Sequence, residues 1–201
     1  MFENHNLIPI DDNPFDLFKN WFETSSKSEI NDANAMTLST ISKNNKPSSR
    51  IVLLKSYDDN GFVFYTNSNS KKGKSIEANS FVCLNFHWKS NKRQVRIEGI
   101  AKIIDFNSAE EYFQSRPRES KIGAWASDQS KKLLNRSVLN KKFKDFEAKY
   151  LNLTIPRPAY WNGYIVDAEL IEFWQEMPHR LHDRVEYKKI KNEWKSKRLF
   201  P

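Results

Sequence analysis

Apolar and polar positions alternate, or apolar residues cluster in short runs, in five consecutive stretches of the first half of the chain. These are AMTLSTIS (35–42), SRIVLLKSY (49–57), FVFYTN (62–67), FVCLNFHW (81–88) and RQVRIEGIAKIID (93–105). Period two over five to ten residues marks strands. The turns KNNKP and DDNG predict a three-stranded antiparallel meander from the first three runs, and the loop KSNK a hairpin from the next two, with a short helix over SKKGKSIEAN between them. Two more strands are expected at YIVDAELIEFWQ and HDRVEYKKI, followed by a turn at KNE and a tail, WKSKRLFP. Helical spacing is found elsewhere. Asn13-Pro14 is a start signal for a helix whose stripe of Phe15, Phe18 and Phe22, flanked by Leu17 and Trp21, faces a core. Ser108 with Glu111 predicts a capping box for EEYFQSRP, which Pro117 ends; SKIGAWAS and VLNKKFKDFEAKYL (138–151) are further helices. Tightly connected antiparallel strands with helices beside them predict a mainly β, α+β fold built on an antiparallel barrel or sandwich.

With 201 residues, 38% of them hydrophobic, the chain suits one domain over 1–201, preceded within it by a short arm at 1–12. A net charge of +8 favours phosphate-bearing partners, and charge alone does not choose among nucleic acid, an anionic membrane and small phosphorylated ligands. Nothing in MFENHNLIPIDDNPF resembles a signal peptide and no apolar run approaches a membrane span, so a cytoplasmic protein with no membrane partner is expected. The lone Cys83 excludes a disulfide framework within one chain and is expected to be a buried strand cysteine. His5, His87, His179 and His182 include no metal-binding pair on one helical turn, so no metal is expected. GxGxxG, GxxxxGK[ST] and a serine-hydrolase elbow are absent; with 5 glycines, phosphate must be held by side chains. Phe86 and Trp88 near Lys89, Lys92 and Arg93 offer a nucleic-acid reading, but core packing explains them more economically.

Four placements carry candidate chemistry. RIVLLK (50–55) brackets four apolar residues with Arg50 and Lys55, as in a strand covered on both faces whose charged ends emerge from the core. Lys71, Lys72 and Lys74 crowd a helix N-terminus, which the macrodipole disfavours unless an anion docks there. In YFQSRPRES, Tyr112 and Arg116 are helical neighbours and Ser120 can join them: either a phosphate cradle or three surface residues. RLHDR (180–184), read as a strand, sets Arg180, His182 and Arg184 on one face, where like charges need an anion opposite; Asp183 on the other face is expected to form a structural salt bridge.

Together RIVLLK, VFYTN with SKKGKSIE, KRQVRIEG, YFQSRPRES with KIGAWASDQS, IEFWQ, RLHDR and RLFP resemble the pyridoxamine 5′-phosphate oxidase family, in its order and with compatible spacing from about residue 30 onward. The resemblance implies an FMN-binding split β-barrel and a homodimer with FMN at the subunit interface. By motif it assigns Arg50, Lys55, Tyr65, Thr66, Ser70, Lys71, Lys72, Gln94, Gln129, Ser130, Trp174 and Arg184 to FMN or its surroundings. Lys55, Tyr112, Arg116 and Ser120 would hold the substrate phosphate, and Arg180 and His182 would flank the pyridine ring as the catalytic pair. The implied reaction is hydride transfer from C4′ of pyridoxamine or pyridoxine 5′-phosphate to the flavin, reoxidised by O2 to give H2O2 and pyridoxal 5′-phosphate. The amine substrate also releases ammonia. Two departures are noted: the family's arginine-rich N-terminal arm has no recognisable counterpart in MFENHNLIPIDD, and EMPH (176–179) replaces small or polar residues. The alternative is a split-barrel flavin protein acting on another substrate; the pairing of YFQSRPRES with RLHDR favours the oxidase.

Overall fold

The computed structural model describes residues 7–10 and 13–201, so the expected arm at 1–12, His5 included, falls mostly outside the described residues. Among the described residues, five α-helices flank one antiparallel sheet: α1 (Pro14–Ser28), α2 (Lys71–Ala78), α3 (Phe106–Ser115), α4 (Arg118–Ala126) and α5 (Arg136–Lys149). The strands are β1 (Ala35–Ile41), β2 (Pro47–Leu53), β3 (Ser56–Asp58), β4 (Gly61–Asn67), β5 (Phe81–Trp88), β6 (Arg93–Ile103), β7 (Trp161–Gln175), β8 (Asp183–Ile190) and β9 (Glu193–Leu199). They run in the order β2-β1-β5-β6-β7-β4-β3, with β8 on β7 and β9 on β8. The 15-residue β7 is the spine: β6 lies along one edge, while the other edge carries β4 on its first half and β8 on its second. The sheet thereby curls into a split barrel. Gly99 lies at the irregularity between β6 and β7, where a Cβ would meet Asp167 O at 2.1 Å, so the backbones approach closely only because this residue has no side chain.

Inward-facing Leu38, Phe64, Phe86, Val95, Ile97, Val166, Phe173 and Val185 form the core, and α1 closes it. Asn13 caps α1 by accepting the Phe15 N–H at 2.9 Å, and Pro14 sits in the first turn, so this helix begins where the start signal lies. Phe15, Leu17, Phe18 and Trp21 are buried, with Phe18 edge-on to Phe62 at 4.9 Å and Trp21 edge-on to Phe173 at 5.2 Å. Each such side chain contributes about 1.5–3 kcal/mol by leaving water. Phe86 and Trp88 belong to this core. A second, smaller cluster of Phe113, Ile122, Tyr150, Ile155 and Trp161 joins α3, α4 and α5 to the start of β7.

Several local expectations are corrected. The run 49–57 is broken at Leu54 and Lys55: β2 pairs with β1, whereas β3 pairs with β4, so the meander does not form. β4 instead takes the distant β7 as its second neighbour. β2 is an edge strand, which leaves Ile51 64% exposed rather than covered on both faces. Cys83 is half-buried, because it points away from the core that Val82 and Leu84 enter. The α3 cap is Asp105, which accepts the Ser108 N–H at 2.9 Å; Ser108 is already helical. The tail forms β9. Finally, RLHDR is not a continuous strand. Pro178–Arg180 make a 3₁₀ turn, His179 and Arg180 have φ of 57° and 63°, and extended backbone resumes only at Asp183.

Candidate active site

A cavity of about 630 Å³ opens between β2, β4, α3 and α4. Lys55, Tyr65, Thr66, Lys72, Tyr112, Arg116, Ser120 and Gln129 all line it, so eight of the candidate residues, drawn from both the cofactor and the substrate sets, share one space. One wall is aromatic. Tyr65 stacks on Tyr112 at 4.1 Å and on Trp161 at 5.1 Å, and burial pushes the Tyr65 hydroxyl pKa up. Arg116 follows the last residue of α3, its guanidinium 4.8 Å from the Trp161 ring. Its Nη1 is buried with no hydrogen-bond partner among the described residues, and burial lowers its pKa. A buried donor without an acceptor is costly, so this atom fits an anionic oxygen. Ser120 reaches the same cavity from the first turn of α4, and Lys55 lies 5.9 Å from the Tyr112 ring. Trp161 escaped the sequence reading; its one signal is the aromatic loop PRPAYWNG that precedes it.

A second cationic centre adjoins the first. Lys72 Nζ donates to Gln129 Oε1 at 2.9 Å and Thr66 Oγ1 at 3.1 Å. Burial, and then the charge of Arg50, lower its pKa. Arg50 itself donates to Leu38 O, Thr40 Oγ1 and Ser48 Oγ. Ser70 is the buried cap of α2, accepting the Gly73 N–H at 3.3 Å. That cap orients the helix whose first turn carries Lys71 and Lys72, with no acidic residue to offset them. Lys71 and Ser130 are exposed and do not line the cavity; Ser130 takes φ 72° in the turn after Gln129.

The remaining candidates gather elsewhere. Gln94, Trp174 and Arg184 are cross-strand neighbours on β6, β7 and β8 and form one row on the face of the sheet away from the core. The His182 ring lies 4.6 Å from Trp174, and its Nδ1 accepts the Met177 N–H at 3.2 Å, so a neutral imidazole carries its proton on Nε2. Arg180 is exposed on the adjoining turn, and Glu176 of EMPH pairs with Lys92 at 3.4 Å. Asp183 forms the expected structural ion pair, with Arg198, and also accepts the Ile8 N–H at 2.7 Å while Arg198 donates to Ile8 O. Residue 8 is thereby fastened to the side chain that follows His182. None of Gln94, Trp174, Arg180, His182 and Arg184 lines the cavity. Trp161, in the cavity wall, and Trp174 occupy opposite ends of β7, roughly 40 Å apart along the strand at about 3.3 Å per residue.

The curled antiparallel sheet with its basic, aromatic-walled cavity defines the class: a split β-barrel. PhzG from Burkholderia lata, solved in complex with tetrahydrophenazine-1-carboxylic acid, superposes with a TM-score of 0.89 at 28% identity, covering 95% of this chain and 94% of that one. A pyridoxamine 5′-phosphate oxidase-related, FMN-binding protein from Nostoc punctiforme shares the fold at TM-score 0.76 and 15% identity, covering 96% and 100%. Family models described as pyridoxamine 5′-phosphate oxidase and as pyridoxine 5′-phosphate oxidase C-terminal dimerisation region match residues 22–150 and 161–201. The pyridoxine/pyridoxamine 5′-phosphate oxidase of Granulibacter bethesdensis is 50% identical, covering 94% of this chain and 92% of the relative. That of Gluconobacter oxydans is 48% identical, covering 97% and 98%. The chain belongs to the pyridoxamine 5′-phosphate oxidase family, a family of oxidoreductases.

Proposed function

We propose that this chain, as one domain over residues 1–201, oxidises pyridoxamine 5′-phosphate, pyridoxine 5′-phosphate or both to pyridoxal 5′-phosphate, with FMN as cofactor and O2 as acceptor. The observation that carries this reading is the unpartnered, buried Nη1 of Arg116 in a cavity that Tyr112, Ser120 and Lys55 also line. Such a donor set suits the substrate phosphate. The adjoining Lys72 and Arg50, with Thr66 and Gln129, suit the phosphate and polar chain of FMN, and Ser70, Lys71 and Ser130 border that end. When bound, the flavin would accept a hydride from C4′ of the substrate and pass the electrons to O2, giving H2O2.

The chain's own contribution is orientation and charge. Tyr112, Arg116, Ser120 and Lys55 fix the phosphate, so C4′ is confined to the short reach of the linker from phosphate to ring. Arg180 stabilises negative character on the substrate oxygen or nitrogen, and His182, held against Trp174 with Nδ1 occupied by the Met177 N–H, has Nε2 to hold or move a proton at that atom. Gln94, Trp174 and Arg184 contact the ring portion of the cofactor. Because the two groups of residues sit at opposite ends of β7, one site needs the cavity of one protomer and the 174–184 region of its partner. This supports a homodimer, as does the match of 161–201 to a dimerisation region. The reaction is taken as cytoplasmic, in keeping with a chain of one cysteine.

The test is to add FMN and either vitamer phosphate to the purified protein in air and follow pyridoxal 5′-phosphate and peroxide together. Equal yields of both are expected. The likeness to PhzG favours one second reading, a split-barrel flavin oxidoreductase acting on another substrate. FMN binding with no product from either vitamer would decide for it.

A further inference from the structure

Behind the row of Gln94, Trp174 and Arg184 lies a second row on the same face of the sheet, in which Arg96, Glu172 and Glu186 are cross-strand neighbours. Glu172 is only 3% exposed, a burial that a carboxylate tolerates only when paired. It has two partners. Oε2 accepts from Arg96 Nη2 at 2.9 Å, and Oε1 accepts from Arg184 Nε at 2.9 Å, on the diagonal to the neighbouring row. Arg184 Nη1 donates to Phe200 O at 3.0 Å. Two of the three guanidinium nitrogens of Arg184 are thus committed, and Nη2 has no hydrogen bond among the described residues. A guanidinium is planar, so fixing Nε and Nη1 fixes the direction of Nη2. The pairing also raises the Arg184 pKa, chiefly through the hydrogen bond to Glu172.

We propose that Glu172 is a positioning residue for Arg184: its buried carboxylate holds the guanidinium so that one N–H edge faces the flavin. This rests on the flavin reading above and adds a residue to it. Arg96 holds Glu172 from the other side, with Glu98 3.5 Å from Arg96 Nε, so the carboxylate cannot swing with Arg184 when a ligand arrives. The cofactor then meets an arginine already oriented, and the ordering cost falls on folding rather than on binding.

The test is a double-mutant cycle on FMN affinity, measured by quenching of flavin fluorescence as apoprotein is added. Wild type, Glu172→Gln, Arg184→Met and the double variant are compared, and urea midpoints of the four apoproteins are recorded alongside. Glutamine keeps the shape but loses the charge and can serve only one guanidinium well. We expect Glu172→Gln to weaken FMN binding at least tenfold, Arg184→Met to do likewise, and the double variant to bind no worse than Arg184→Met alone. Glu172→Asp, which keeps the charge but draws the carboxylate back by one methylene, gives an intermediate loss that also vanishes in the Arg184→Met background. This variant carries the test should glutamine prevent folding. If the two losses multiply in the double variant, Glu172 acts independently of Arg184 and the proposal is wrong. It is equally wrong if Glu172→Gln and Glu172→Asp both fold and leave FMN affinity at the wild-type value. If wild type itself fails to bind FMN, the flavin reading falls first and takes this proposal with it.

Discussion

Arg116 is a half-buried cation with one nitrogen that no described residue satisfies. An unmet buried donor costs about 1–3 kcal/mol, while stacking on Trp161 returns about 0.5–2 kcal/mol, so the free protein gains little from this side chain. Arg116→Met should therefore leave the apoprotein within about 1 kcal/mol of wild type in urea unfolding. It should raise KM for pyridoxine 5′-phosphate roughly ten- to a hundredfold, the worth of one hydrogen bond to a charged group. A large loss of stability with unchanged KM would make Arg116 a structural residue. Lys72 gives a pH signature. Its pKa is lowered from 10.5 by burial and by Arg50, so folding disfavours its charged form, and this one group makes stability rise as pH climbs through the folded value toward 10.5. A bound phosphate favours the charged form. FMN affinity should therefore decline as pH rises toward 10.5, beginning earlier than an ordinary lysine would dictate, and Lys72→Arg should flatten that decline because arginine keeps its proton.

At the scale of elements, what could be read in advance is what depends on neighbours in sequence. The Asn13-Pro14 start, the α1 stripe, the exact span of β5 and the convergence of Tyr112, Arg116 and Ser120 follow from period and spacing. What could not be read depends on partners far along the chain: β4 pairs with β7 rather than β2, Lys72 meets Gln129, and Glu172 joins two arginines. RLHDR shows the limit of periodicity. Alternation places side chains only while φ and ψ stay extended, and the turn at Pro178 with positive φ at His179 and Arg180 resets the register before Asp183. Helix α2 shows the opposite case, in which one small residue sets the placement of an element. A Cβ on Gly73 would lie 2.3 Å from Ser68 O, in the turn that leads from β4 into the helix. Ser68 is in turn fastened to Tyr160 O through its N–H at 2.7 Å and its hydroxyl at 3.0 Å. Gly73→Ala should force the turn away from α2, costing about 1–3 kcal/mol by overpacking in urea unfolding. FMN affinity should fall with it, since Thr66 and Lys72 stand on either side of that turn. Full affinity in a destabilised Gly73→Ala protein would detach α2 from the cofactor site.

On the scale of the whole molecule, the division of the candidate residues between two ends of β7 is the feature on which the proposed dimer rests. Arg184, held by Glu172 and by Phe200 O, does not line the cavity of its own protomer. A two-fold pairing solves this, because each protomer offers one cavity and one 174–184 region, and an isologous interface uses both twice. Complementation between damaged chains tests this directly. Assayed with substrate well below the wild-type KM, Arg116→Met disables the cavity end and Arg180→Ala the other, so each variant dimer has two defective sites. In a mixed dimer, one site combines both defects, while the second combines the intact cavity of the Arg180→Ala chain with the intact Arg180 of the other. Unfolding the two variants together and refolding them at equal amounts should yield half mixed dimers, each with one working site, and hence about a quarter of wild-type activity. Mixing without unfolding should give less, at the pace of subunit exchange. If each site were complete within one chain, the refolded mixture would stay as inactive as the two variants refolded apart.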